Sequence, residues 1–342
     1  MTIQNSEIIL NEFKNLRVGE TPLFPVLSKQ EIMDREKSIP INLPRLEDSQ
    51  SPAPLKKPML EEFEPHWHPL WLDVFEAARQ LHFEFIDCSI IASAWIRQSM
   101  RAGEFDCKTW PTQWADFGLV GTALISSSAK AVHHERLIPC PTNLGLYAVA
   151  PNSESVKKLA LLQVPTIQLR FKSSDPSALE EQVQNSVNAV KGTGSLLFIN
   201  DHWRLAIKAN AYGIHLGQED LDKLTSPEIN AIRESGLRVG ISTHGYSEMI
   251  RADKFGPSYI AMGAIYPTTL KQMQTLPQGV ERLRMYVKLM NHYPLVAIGG
   301  IDASNIQEVL STGVGSVAMV RALVGADVRE SEILKLLSVV KF

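Results

Sequence analysis

The chain has 342 residues, 44% of them hydrophobic and 21% charged, with a formal net charge of −3. That is the balance of a globular protein with room for one large domain and a smaller one, without a nucleic-acid binder's basic excess. No apolar run approaches the ~18 residues of a membrane span, and three cysteines without a CxxC pair argue against a disulfide framework or structural zinc.

The N-terminus, MTIQNSEIILNEFK, carries acids early and no sustained apolar core, so it reads as no secretory signal. With the cysteine usage, this predicts a cytoplasmic protein. Residues 6–16 have the pattern of a short amphipathic helix. Pro40, Pro44, Pro52, Pro54 and Pro58 then mark a linker or irregular wrap near 38–58, since proline lacks the donor that regular structure needs. The spacing of Trp71, Val74, Phe75, Ala78 and Leu81 predicts a helix over 71–86. A second follows over 88–103, with Asp87 or Ser89 as its cap.

Residues 110–118 are aromatic and turn-rich. His66, His68, His133 and His134 lack the spacing of a known metal site and read as surface or packing residues. Trp67, Trp71, Trp95, Trp110 and Trp114 are expected to pack on the outside of whatever follows. Residues 1–143 are thus predicted to form a mainly helical appendage.

From Leu144 the texture changes. Strand-like tracts stand at 145–151, 166–171, 195–201, 213–217, 238–243, 259–266, 295–300 and 316–323, separated by helical patterns except between Gly217 and Arg238, a loop that can hold a helix too. Repeated strand–helix units predict a (β/α)8 TIM barrel over 144–342, with chemistry at the C-terminal rim.

The rim residues are of one kind. Gln168, Arg170 and Lys172 alternate on one strand face, and two cations with an amide there suit a polyanion that carries a polar ring. The plainer reading, neutralisation of acids in the barrel, stands beside it. Asp201 follows Asn200, and Asp220 follows the fourth tract. Two such carboxylates suit a hard cation such as Mg2+ shared with phosphate oxygens, although Asp201 alone could cap a helix beginning at His202. His215 faces inward and reads as a core histidine before a catalytic one. Ser242, Thr243 and His244 close the fifth tract without the look of a Ser–His nucleophile pair. Lys271 adds a cation, and Gly299–Gly300 with Val320–Arg321 lie where barrels often bind phosphate. From the residues alone, the reading stops at metal-assisted chemistry on phosphorylated small molecules.

The motifs QLRFK (168–172), ND (200–201), HLGQED (215–220), STH (242–244), YPTTLKQM (266–273), PQG (277–279) and AIGGI (297–301) resemble the thiamine-phosphate synthase family in order and spacing. The resemblance covers 144–342 and leaves 1–143 outside it. It implies that a pyrimidine methyl diphosphate is joined to a thiazole phosphate, releasing diphosphate. Gln168, Leu169, Arg170, Phe171, Lys172 and Asn200 would then hold the pyrimidine diphosphate, with Ser242 and Lys271. Asp201 and Asp220 would hold Mg2+. Thr268, Thr269, Leu270, Gly300, Val320 and Arg321 would surround the thiazole phosphate.

Arg170, Lys172 and Lys271 would be the catalytic cations of a dissociative displacement. Leu270 and Arg321 depart from hydroxyl residues usual in the family, and the first tract ends in APNSES. A thiazole tautomerase-like barrel and a catalytically silent binder of thiamine precursors are the alternatives. Beyond small molecules, the one partner considered is a second copy in a homo-oligomer; neither nucleic acid nor membrane is expected.

Overall fold

The computed structural model describes residues 17–18, 21–22, 63–103, 110–118, 135–268, 276–325 and 327–340. The chain divides into two compact units, Met1–Val132 and His133–Phe342. The expected helix at 6–16, the proline-rich stretch and His133–His134 lie outside the described residues.

In the first unit, a 3-10 turn at Pro65–Trp67 leads into α1 (His68–Gln80), followed by α2 (Phe85–Ala102) and the short α3 (Trp114–Gly118). The expected break at Asp87 falls instead at residues 81–84. His82 takes a left-handed φ of 60° there, and the extended Glu84 stands before α2. Neither expected cap is used: Asp87 is buried within the first turn, and the Ser89 hydroxyl donates to the Phe85 carbonyl at 3.3 Å. The LHFE segment has no Pro or Gly, so the helical periodicity runs through it unmarked.

The tryptophans pack among themselves and their neighbours. Trp71 stacks on Phe75 and donates its indole N–H to Ser93 Oγ at 3.0 Å, which ties α1 to α2. Trp95 meets Trp110 edge to face at 6.2 Å. His66 pairs with Glu64 at 3.3 Å, and His68 bonds the Phe63 carbonyl at 3.0 Å.

The second unit is a closed barrel of eight parallel strands. They are β1 (Gly145–Ala150), β2 (Thr166–Leu169), β3 (Leu196–Asn200), β4 (Gly213–Leu216), β5 (Arg238–Thr243), β6 (Tyr259–Met262), β7 (Leu295–Ile298) and β8 (Ser316–Met319). The helices between them are α4 (Ser153–Leu161), α5 (Pro176–Val190), α6 (Trp203–Lys208), α7 (Gln218–Lys223), α8 (Ser226–Glu234), α9 (Tyr246–Phe255), α10 (Gly279–Leu289) and α11 (Ile306–Leu310). After β8 come α12 (Arg321–Val324) and α13 (Glu330–Val339). Most strands stop short of the tracts read from sequence. Arg170, Lys172, Asp201, Gly300 and Val320 therefore stand in rim loops rather than on strands.

Both strand faces are buried, as parallel barrels require. Ile167, Leu197, Ile214, Val239, Ile241 and Val317 form the outward set, all at 1% exposure or less. Tyr147, Val149, Phe198, Tyr259, Ala261, Val296 and Ala318 fill the lumen.

Two strand glycines make this filling possible. A Cβ on Gly213 would stand 2.6 Å from the Phe198 ring, and one on Gly240 would stand 2.0 Å from the Tyr259 ring. Gly240→Ala is therefore expected to destabilise the barrel by about 1–3 kcal/mol through overpacking; urea unfolding checks this, and an unchanged midpoint contradicts the lumen packing.

The barrel unit begins before the strand–helix rhythm does. Leu137 N–H donates to the Gly256 carbonyl at 2.9 Å, and the Arg136 guanidinium lies 4.4 Å from the Tyr293 ring centroid. Cys140 joins the lumen cluster at the strands' N-terminal end. Among the described residues, no helix is long and apolar enough to cross a membrane.

Candidate active site

The C-terminal rim gathers residues from separate loops. Asp201 follows β3 with a left-handed φ of 61°, rare for a residue with a side chain. Its N–H is tied to the His215 carbonyl of β4 at 3.0 Å, and its own carbonyl accepts from Trp203 N–H at 2.9 Å. The simple capping role fails, because α6 has no side-chain cap bond at its N-terminus. Asp220 sits in the first turn of α7, where its carboxylate accepts from the Gly217 N–H at 3.2 Å.

The two carboxyl groups meet. Burial, then the charge of Asp220 and a hydrogen bond between the two side chains, push the Asp201 carboxyl up to about 6, while Arg170 and Lys172 pull it back. Acids and cations from three different loops thus act on one point. Like charges in contact resist joint ionisation unless a proton or cation lies between them.

His202 closes one side. Burial holds its imidazole below the ordinary range, while Asp220 and a hydrogen bond to the Phe171 backbone oppose that. Arg170 is anchored by its N–H donating to the Ala150 carbonyl at 2.8 Å, which fixes its backbone at the mouth.

The donor set fits magnesium. Two hard carboxylates with free positions for phosphate oxygens and water is how Mg2+ is commonly held. No group of three or more His, Cys, Asp or Glu suited to a metal occurs among the described residues.

Below the carboxylates, the lumen is polar. Gln168 Nε2 donates to Asn200 Oδ1 at 2.7 Å, and His215 Nε2 lies 2.8 Å from Ser242 Oγ. Ser242 thus has a histidine partner, supplied by β4 rather than by His244, which bonds Glu248 at 2.7 Å instead. Gln218 is a residue the sequence reading passed over. Its amide N–H holds the Ser242 carbonyl at 2.7 Å and clips the β4 and β5 ends together. Tyr147 and Tyr259 were likewise missed. The signal for Tyr259 was Gly240 within a strand, which marks a close approach by another group.

On the opposite side of the mouth, Gly299 and Gly300 take φ values of 102° and 68°. A Cβ on Gly300 would lie 2.6 Å from the Tyr266 Cβ and 2.7 Å from the Pro267 carbonyl. The two loops therefore touch backbone to backbone, with Thr268 beside them. Val320 and the exposed Arg321 follow β8, which pairs with β7. Leu169 is buried beneath the rim, and Phe171 is half-buried in the loop above it. Thr269, Leu270 and Lys271 lie outside the described residues.

The model of the family described as thiamine monophosphate synthase matches residues 146–323. A thiamine-phosphate synthase of Neisseria meningitidis serogroup A is 49% identical over 189 residues, covering 55% of this chain and 91% of that protein. One from Proteus mirabilis is 45% identical over 203 residues, covering 59% and 93%. Among solved structures, a thiamine phosphate pyrophosphorylase from Pyrococcus furiosus superposes with a TM-score of 0.50 at 30% identity, covering 58% of this chain and 97% of that one.

Proposed function

This chain belongs to the thiamine monophosphate synthase family, and we propose from that premise how its barrel makes thiamine phosphate. The chain is a transferase. It joins 4-amino-2-methyl-5-(diphosphooxymethyl)pyrimidine to 4-methyl-5-(2-phosphooxyethyl)thiazole and releases diphosphate. The observation that carries the site assignment is the contact between Asp201 and Asp220 under the pull of Arg170 and Lys172.

Asp201 and Asp220 would hold Mg2+, which when bound supplies positive charge to the diphosphate oxygens. Arg170 and Lys172, with Lys271, receive the charge that builds as the bond from methylene carbon to diphosphate oxygen breaks. That electron pair leaves with the diphosphate. The pyrimidine's amino group feeds the cationic methylene, and the thiazole nitrogen lone pair forms the new C–N bond, so no proton is exchanged.

Gln168, Asn200 and Ser242 orient the pyrimidine, while Leu169 at the end of β2 and Phe171 in the loop after it flank Arg170 and Lys172. Gly300, Thr268, Thr269, Leu270, Val320 and Arg321 seat the thiazole phosphate on backbone N–H groups and a cation. Positioning and electrostatics supply the acceleration, and no protein nucleophile takes part.

The test is diphosphate release from the two substrates with Mg2+. Full-length protein and a 133–342 fragment are both expected to turn over, because the relatives consist almost entirely of the matched segment. Binding without release would favour the silent binder, and turnover of the thiazole alone would favour the tautomerase-like reading. A folded but inactive fragment would assign the first unit a part in the site.

A further inference from the structure

Five hydrogen bonds run in file across the barrel lumen from Asn200 to Ser242. Gln168 Nε2 donates to Asn200 Oδ1, and Gln168 Oε1 accepts from the Tyr147 hydroxyl at 3.1 Å. The Tyr147 and Tyr259 hydroxyls are 2.7 Å apart, and the Tyr259 hydroxyl lies 2.6 Å from His215 Nδ1. His215 Nε2 then meets Ser242 Oγ. Tyr147 and Tyr259 are buried to 1% and 0% exposure, and Gly240 leaves the space that the Tyr259 ring fills.

A phenol has one proton, so such a file runs in one sense throughout. Because Tyr147 donates to Gln168, Tyr259 donates to Tyr147, and His215 donates to Tyr259 through Nδ1. Nε2 is then left as an acceptor, and the Ser242 proton is committed to it. The mouth consequently presents amide N–H donors at the Gln168–Asn200 end and hydroxyl lone pairs at the Ser242 end. A ring carrying an acceptor nitrogen beside an exocyclic amino donor complements that arrangement. A ring with a carbonyl in place of the amino group reverses it.

We propose that Tyr147, Tyr259 and His215 are positioning residues whose hydrogen-bond file fixes the donor and acceptor sense of Gln168, Asn200 and Ser242, so that the site selects an amino-substituted pyrimidine over its oxo counterpart. The proposal rests on the assignment of the pyrimidine to these residues. It predicts a property of the ligand-free protein that ordinary packing does not.

The experiment is nitrogen NMR of the full chain labelled at histidine nitrogen, with the His215 signals assigned by their loss in His215→Asn. The expected result is the Nδ1–H tautomer, changing towards Nε2–H in Tyr147→Phe, where the file is cut. In the same variant, KM for the pyrimidine diphosphate should rise about tenfold, the scale of one lost neutral hydrogen bond. KM for the thiazole phosphate should stay level, and discrimination against the 4-oxo analogue should fall. An Nε2–H tautomer in the parent protein, or a tautomer and KM indifferent to Tyr147→Phe, would overturn the proposal. If the variant does not fold, the parent's tautomer still decides. If the parent fails to couple the substrates at all, the proposed function fails while the tautomer result stands separately.

Discussion

Asp201→Asn should lower turnover by at least ~100-fold while making the protein more stable at neutral pH. The activity loss follows from removing half of the proposed two-carboxylate cation site, since even a residue behind a metal ligand typically costs ~10–100-fold. The stability gain follows from linkage. Asp201 loses its proton at about 6 in the folded chain, above the ordinary value of 3.8.

Between those two pH values the folded chain holds a proton that the unfolded chain has released. Stability therefore falls as pH rises through that window and is lowest above it. An asparagine removes the penalty. Thermal unfolding of both proteins at pH 5 and pH 8 checks the sign: the variant's advantage should appear at pH 8 and shrink at pH 5. A variant that is less stable at pH 8, or fully active at limiting Mg2+, would remove Asp201 from this role.

Arg170→Ala carries the second large effect. Its guanidinium acts on Asp201, and its backbone is pinned to the β1 end. Loss of a preorganised charge at the proposed position of the departing diphosphate should reduce kcat by ~10²–10³-fold. Arg170→Lys should recover only part of this, because a lysine ammonium lacks the planar fork that grips two oxygens at once. A further consequence separates electrostatics from mere misplacement. Without the guanidinium, the Asp201 carboxyl moves still higher, so the acid limb of the kcat/KM profile should shift to higher pH. A profile that falls in height without shifting would mean that Arg170 and Asp201 do not share a field.

The barrel and its rim were legible because two kinds of regularity survive in sequence. Period-two alternation put Gln168 apart from Leu169, and strand–helix repetition gave eight strands whose ends had to converge. The meeting of Asp201 with Asp220 follows from that topology, since β3 and β4 are neighbours.

Other features had no local signature. The helix break at His82 lacks a proline or glycine. The segment before Leu144 is held by backbone bonds to Gly256 and Ser258, which strand periodicity does not reveal. The Tyr147–Tyr259–His215 file depends on which inward residues share a height in the lumen. That is a matter of register between strands, so no single stretch of sequence contains it. Asp201's left-handed backbone is likewise set by neighbours: its N–H is drawn to the His215 carbonyl while its own carbonyl holds Trp203.

The central claim is that Asp201, Asp220 and Arg170 form one centre for a divalent cation and diphosphate. Electron paramagnetic resonance with Mn2+ as the probe, titrated in the presence of inorganic diphosphate, tests it without turnover. One tightly held ion per chain that requires diphosphate is expected, greatly weakened by Asp201→Asn and by Asp220→Asn. Equal binding by the parent and both variants would contradict it.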